Sequence, residues 1–120
     1  MQDARGICER VRSSDQRIRH VGYYDEFGRI LNDSIRENMQ AMEGIEDQHI
    51  LNGRVATMLS IWRAADSIIG KIEGFVMFRE KLVALIQPEG NNYYLVVFEA
   101  GTPLETLDKI RIMLIRETGS

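Results

Sequence analysis

The chain changes its apolar rhythm several times, and each change marks an element. Between Asp3 and Arg12, Ala4, Ile7, Cys8 and Val11 recur at helical spacing, which predicts a short first helix despite the weak helix former Gly6. The run RIRHVGYYDEFGRILNDSI follows, with β-branched and aromatic residues on both sides of Asp25-Glu26-Phe27-Gly28. Gly28 can take the positive φ that closes a hairpin, so two strands are expected there. From Glu46 to Ile69 the period becomes helical again, and Gly70 stands where a left-handed cap commonly ends a helix. Three strands come next, Ile72–Phe78, Leu82–Ile86 and Tyr93–Phe98, separated by the tight REK and the loop QPEGNN. In YYLVVF both alternate sets are apolar, which is the pattern of a central strand covered on both faces. The last helix starts at TPLE, where Thr102 as N-cap, Pro103 at N1 and Glu105 at N3 predict a capping box. Leu104, Leu107, Ile110 and Leu114 form its inner stripe.

The order α-β-β-α-β-β-β-α is best satisfied by one five-stranded antiparallel sheet with helices on both faces, an α/β sandwich of three layers. A chain of 120 residues with 44% hydrophobic content can bury one core without disulfides or metal. One domain is expected over residues 1–118, with Gly119-Ser120 read as a cloning remnant.

This order resembles the roadblock (dynein light chain) family of the profilin-like group, from about Ile18 to Glu117. The matching features are the strand–turn–strand stretch RIRHVGYYDEFGRILNDSI, with Asp25 and Gly28 in its turn, and the hydrophobic pattern that follows. Small uncharacterised archaeal proteins of the roadblock type look similar. The stretch NDSIRENMQAMEGIEDQH is longer and more acidic than the family pattern. The resemblance implies a non-catalytic homodimer or heterodimer that regulates small GTPases or scaffolds signalling and motor complexes. It also implies that the strand Ile72–Phe78 lies at the sheet edge beside the long helix, where two copies would join two sheets.

The long helix supports assembly independently. At ~100° per residue, Leu51, Val55, Met58, Trp62, Ala65 and Ile69 make one apolar stripe. Ile50, Thr57, Ile61, Ala64 and Ile68, with Gly53 at the edge, make a second. Together they span more circumference than a helix lying on its own sheet needs. Gly53, Thr57 and Ala64 are small enough to admit a second helix closely. An antiparallel two-fold copy crossing near Ile61 would pair Gly53 with Ile68 and Thr57 with Ala64, and bring Arg54 towards Asp66 of its mate. Cover by the first helix, or by the segment before the long helix, is the competing reading. KIEGFVMFRE has no Pro and no interior Lys to guard an edge. The candidate dimer-interface residues are therefore Gly53, Arg54, Thr57, Ile61, Ala64, Ile68, Ile72, Gly74 and Val76.

Charge and chemistry narrow the function. Fifteen Lys and Arg against 18 Asp and Glu give a net charge of -3, a poor basis for holding a phosphate backbone, so no nucleic-acid partner is expected. No apolar run is long enough for membrane insertion, and Met1 leads into a charged stretch. The single Cys8 fits a reducing, cytoplasmic setting. No catalytic, cofactor-binding or metal residues are assigned. Glu46, Asp47 and His49 read as a solvated first turn favoured by the helix dipole, and His20 as a structural or exposed histidine. Cys8 reads as a small buried hydrophobe. Neither a GxSxG elbow, a P-loop nor GxGxxG occurs. The expected role is a non-enzymatic dimerisation and adaptor module without cofactor, whose partners are a second copy and a small GTPase or other protein. The acidic stretch Asn32 to Asp47 is the expected partner-contacting surface. The rival is a PAS-like small-molecule sensor, in which Tyr23, Tyr24, Trp62, Phe75, Phe78, Tyr93 and Tyr94 would line a pocket. It wants several short helices where one long period dominates here.

Overall fold

A computed structural model describes residues 3–36 and 45–119, the side chains of 45–50 excepted. The elements are α1 (Ala4–Ser13), β1 (Ile18–Tyr24), β2 (Ile30–Ile35), α2 (Ile45–Arg63), the single turn α3 (Asp66–Ile69), β3 (Phe75–Phe78), β4 (Leu82–Glu89), β5 (Asn92–Glu99) and α4 (Leu104–Thr118). Every strand pair is antiparallel, in the order β2-β1-β5-β4-β3. The strand YYLVVF is accordingly the middle of the sheet.

Two apolar layers sandwich the sheet. Ile7, Cys8 and Val11 of α1 pack with Leu107, Ile110 and Leu114 of α4 against Ile18, Val21, Val83, Leu85, Tyr94, Val96 and Phe98. On the other face Ala56 and Leu59 of α2 pack with Tyr24, Ala84, Ile86, Tyr93 and Leu95. The alternation within β5 divides its side chains between the layers, as two covered faces require.

The β1–β2 turn forms as the sequence predicts. Asp25 accepts hydrogen bonds at Oδ1 from the backbone N–H groups of Phe27 (2.9 Å) and Arg29 (3.0 Å), and at Oδ2 from Arg29 Nε (2.7 Å). Gly28 takes φ of 83°, and a Cβ there would lie 2.6 Å from the Asn52 carbonyl oxygen. Glycine at this position therefore serves the turn and the close approach of α2 together.

Several boundaries differ from the sequence reading. The long helix is not continuous to Ile69. After Arg63, Ala64 and Ala65 donate to the Ile61 and Trp62 carbonyls, tightening the end into i→i−3 bonds before α3 begins. At this break the Arg63 guanidinium reaches the carbonyls of Gly90 (3.1 Å) and Asn91 (3.3 Å). Gly70 ends α3 with φ of 89°. β3 starts at Phe75 rather than Ile72, so Ile72 and Gly74 precede the strand. The expected loop QPEGNN shrinks to Gly90 and Asn91, because β4 and β5 stay paired to Glu89↔Asn92. Pro88 fits in β4 because it lies beyond the Phe75↔Ile86 pair, where β3 has ended.

The capping box on α4 does not form. Thr102 Oγ1 donates instead to the Glu99 carbonyl (2.7 Å), and Pro103 occupies the N-cap without a side-chain cap bond. Gly119, set aside in the sequence, closes α4 in the left-handed conformation with φ of 73°.

Candidate self-association surface

The orientation of α2 decides what this face of the molecule can do. Leu59 is 1% exposed and Ala56 5%, while Val55 and Met58 are half-buried against the same cluster. Tyr93 Oη donates to the Asn52 carbonyl (3.2 Å), holding this side of α2 over the stacked Tyr24 and Tyr93 rings (centroids 5.2 Å apart). The stripe Leu51, Val55, Met58, Trp62, Ala65, Ile69 is thus not the inner face as a unit. Leu51, Trp62 and Ile69 are exposed, whereas Ala56 and Leu59, which belong to neither stripe, carry the burial. The rotation follows from bulk: small Ala56 lets the helix settle close to the tyrosines, and Leu59 lies only ~60° round the helix from it.

The opposite side of α2 then points away from its own sheet. Ile61 is 65% exposed and Ile68, in α3, 82%. Arg54, Thr57 and Ala64 are exposed beside them, and a Cβ added at Gly53 would meet nothing within 4 Å. Thr57 spends its hydroxyl inside the helix on the Gly53 carbonyl (2.8 Å). The structure thus places Gly53, Arg54, Thr57, Ile61, Ala64 and Ile68 on the side of α2 and α3 turned away from the sheet, while residues 37–44, part of the competing cover, lie outside the described residues. α1 does not cover them, since it packs on the other face of the sheet.

β3 borders this region and is the last strand of the sheet among the described residues. Phe75 and Met77 face the α2 layer, while Val76 and Phe78 (63% exposed) face the opposite way. Of the three β3-side candidates, Val76 is exposed, Gly74 is half-exposed, and Ile72 packs partly into the chain's own core. Trp62, Ile69 and Phe78 are exposed apolar groups here that the nine candidates leave out. The free edge of β3 was the available signal for Phe78.

The remaining chemical candidates fall apart in space or are quenched. Cys8 is fully buried, and burial, reinforced by nearby Asp33 and Glu9, pushes its thiol up to about 12. Such a thiol is inert near neutral pH. His20 Nε2 lies 3.3 Å from Asp33 Oδ2, and burial depresses the imidazole, opposed in part by that carboxylate. The side chains of Glu46, Asp47 and His49, and most of the acidic stretch Asn32 to Asp47, lie outside the described residues. Among the described residues no group of three or more His, Cys, Asp or Glu is placed to hold a metal, and no helix is long and apolar enough to cross a membrane. The aromatic residues do not converge on one pocket. Tyr23 and Tyr94 pack in the α1/α4 layer, Tyr24 and Tyr93 in the α2 layer, and Trp62 is exposed.

No protein-family model matches the chain, and no curated protein matches its sequence. Solved structures match it closely in shape. A Roadblock/LC7 domain from Streptomyces avermitilis is 9% identical, with a TM-score of 0.73 over 98% of this chain and 95% of that one. The gliding protein MglB from Thermus thermophilus is 16% identical, with a TM-score of 0.73 over 97% and 88%. A structure described as MglB with tetrameric arrangement is 15% identical, again at 0.73 over 97% and 88%. Identities this low speak for architecture alone: the chain has the roadblock/LC7 fold.

Proposed function

We propose that this protein is a non-catalytic dimerisation and adaptor module whose working parts are surfaces. The observation that carries the reading is the bare apolar side of α2 and α3, centred on Ile61 and Ile68, next to the unpartnered edge of β3. A second copy crossing near Ile61 would cover it. Gly53, Arg54, Thr57, Ile61, Ala64 and Ile68 would meet across the helices, with Ile72, Gly74 and Val76 along the sheet edge. A two-fold axis makes such a contact self-complementary. A structural neighbour with a tetrameric arrangement supports self-association in this fold. Regulation of a small GTPase, or scaffolding of a signalling complex, is the role that the roadblock likeness attaches to such a dimer. The setting proposed is cytoplasmic.

Light scattering at micromolar concentration tests the first part, with a mass of twice the 13.8 kDa chain expected. A mass of one chain would refute it. Capture from native lysate tests the second: recovery of a GTPase supports the adaptor role, and recovery of a bound metabolite alone would favour a sensor instead.

A further inference from the structure

The two faces of β3 are unequally covered. On the α2 side Phe75 and Met77 pack against the core. On the other side α4 lies over β4 and β5, where Leu107, Ile110 and Leu114 meet Val83, Leu85 and Phe98, and it leaves Val76 and Phe78 exposed. Leu104, 64% exposed, and Arg111 stand seven residues apart on α4, so only ~20° separates them round the helix. Arg111 locates that stripe, because a Cβ at Gly74 would lie 3.5 Å from its Cδ. α4 starts soon after Glu99, which pairs with Leu82 at the Phe78 end of β3. A groove therefore runs between α4 and β3, apolar at Phe78 and Leu104 and polar at Gly74 and Arg111.

The polar end holds an unsatisfied group. Gln87 is 8% exposed, and its Oε1 has no hydrogen-bond partner among the described residues. Leaving a buried acceptor unpaired is unfavourable and asks for an explanation. The oxygen stands at the end of the groove, 3.3 Å from where a Cβ at Gly74 would be. Beside it the ion pair of Arg111 with Asp108 is long, 4.0 Å, and Asp108 is exposed, so the guanidinium is loosely held.

We infer that this groove receives an extended segment of a partner protein in which a carboxylate side chain and a large apolar residue stand four positions apart. Arg111 turns from Asp108 to the carboxylate, a pairing its forked donors favour. That movement uncovers Gln87 Oε1, which accepts a backbone N–H of the segment. The apolar residue seats on Phe78, Val76 and Leu104. The spacing follows from β3 itself: Gly74 and Phe78 are four residues and ~13 Å apart, and residues i and i+4 of an extended segment face the same way. A helix would fit less well, since its interior N–H groups are already bonded. A fatty acid would match the apolar floor and Arg111, but its ionised carboxylate has no donor for Oε1. This inference goes beyond the self-association proposed above and does not rest on it, because β3 can pair along its edge while this face stays open.

Selection of a displayed library of random nine-residue peptides on the immobilised full chain tests the groove, with dodecanoate as the competing probe. Enriched peptides should carry Asp or Glu four positions from Leu, Ile or Phe. Arg111→Glu should weaken them about tenfold or more, and exchanging the peptide's acid for Lys should restore binding to that variant. Gln87→Met keeps the volume and removes the unpaired oxygen, so it should raise the urea midpoint of the free chain while weakening the same peptides about tenfold. Absence of enrichment overturns the inference, as do peptides that bind both variants as tightly as the parent chain. A lowered urea midpoint for Gln87→Met also overturns it, by making the amide a structural group. Dodecanoate binding without peptide enrichment overturns it in favour of an acyl chain. A chain that light scattering shows as a monomer, yet that selects such peptides, keeps this inference and refutes the self-association alone.

Discussion

The two helical layers answer the same problem differently. On one face α1 and α4 share the work, and Ile7, Cys8, Val11, Leu107 and Leu114 are at most 1% exposed. On the other face α2 stands without a neighbouring helix of comparable length among the described residues. It seals Leu59 and Ala56 but leaves Ile61 and Trp62 in water. Both layers are apolar in sequence, so the contrast comes from the number of helices sharing each face. A paired layer closes on itself; a single helix with apolar residues all round has a side left over, and that side is available for another molecule.

The comparison can be broken by exchanging the behaviour of the two layers. Leu114→Ala, in the closed layer, should cost roughly 2–5 kcal/mol of stability through the cavity it leaves, measured by urea unfolding, with no change in the mass of whatever remains folded. Tyr93→Phe removes the bond that seats α2 and should cost about 1 kcal/mol in the same measurement. Ile61→Glu should do the opposite of Leu114→Ala. Its site is exposed in the single chain, so the folding stability of the monomer should move by less than ~0.5 kcal/mol, while light scattering should show the dimer lost, because a charge without a partner would be buried at the crossing. A dimer that survives Ile61→Glu would remove α2 from the interface.

Titration separates the faces more gently. The folded imidazole of His20 titrates below its ordinary range, so between that value and ~6.5 the unfolded chain binds more protons than the folded one. Its contribution to stability is therefore complete above ~6.5 and is lost as the pH falls through the depressed value. His20→Gln should flatten the acid limb of stability against pH, and an unchanged slope would assign that limb to other groups. At Cys8 a maleimide should react in unfolding conditions and be excluded at about pH 8 in the folded chain, since both burial and the raised thiol value oppose attack.

The layers and the interior place of β5 were legible because period-2 and period-3.6 patterns record burial, and YYLVVF announced a strand covered on both sides, whereas the order of the other strands was not read from the sequence. The uncovered side of α2 was legible for the same reason, from Ile61 and Ile68. The rotation of the helix was not. An unweighted wheel treats Trp62 and Ala56 alike as apolar, whereas the choice of inner face depends on the tyrosine rings beneath, which come from β1 and β5, far away in sequence. The capping box did not form because the Thr102 hydroxyl is turned to donate to the Glu99 carbonyl rather than to accept from the first turn of α4, and the N-cap falls on Pro103, which has no side-chain oxygen. β3 was read too long because Ile72 is strand-like in composition but is used as an anchor into the α2 layer before pairing begins.

The contact between Arg63 and the two-residue β4–β5 turn bears on how this protein can be engineered. Gly90 and Asn91 are exposed, and by ordinary criteria such a hairpin tip would be the first place to splice in a tag or a reporter peptide. Here the carbonyls of that tip tether the end of a helix from another part of the chain. Lengthening the tip would carry its oxygens out of reach of the guanidinium, so an exposed insertion point is also one where a graft would release the end of α2.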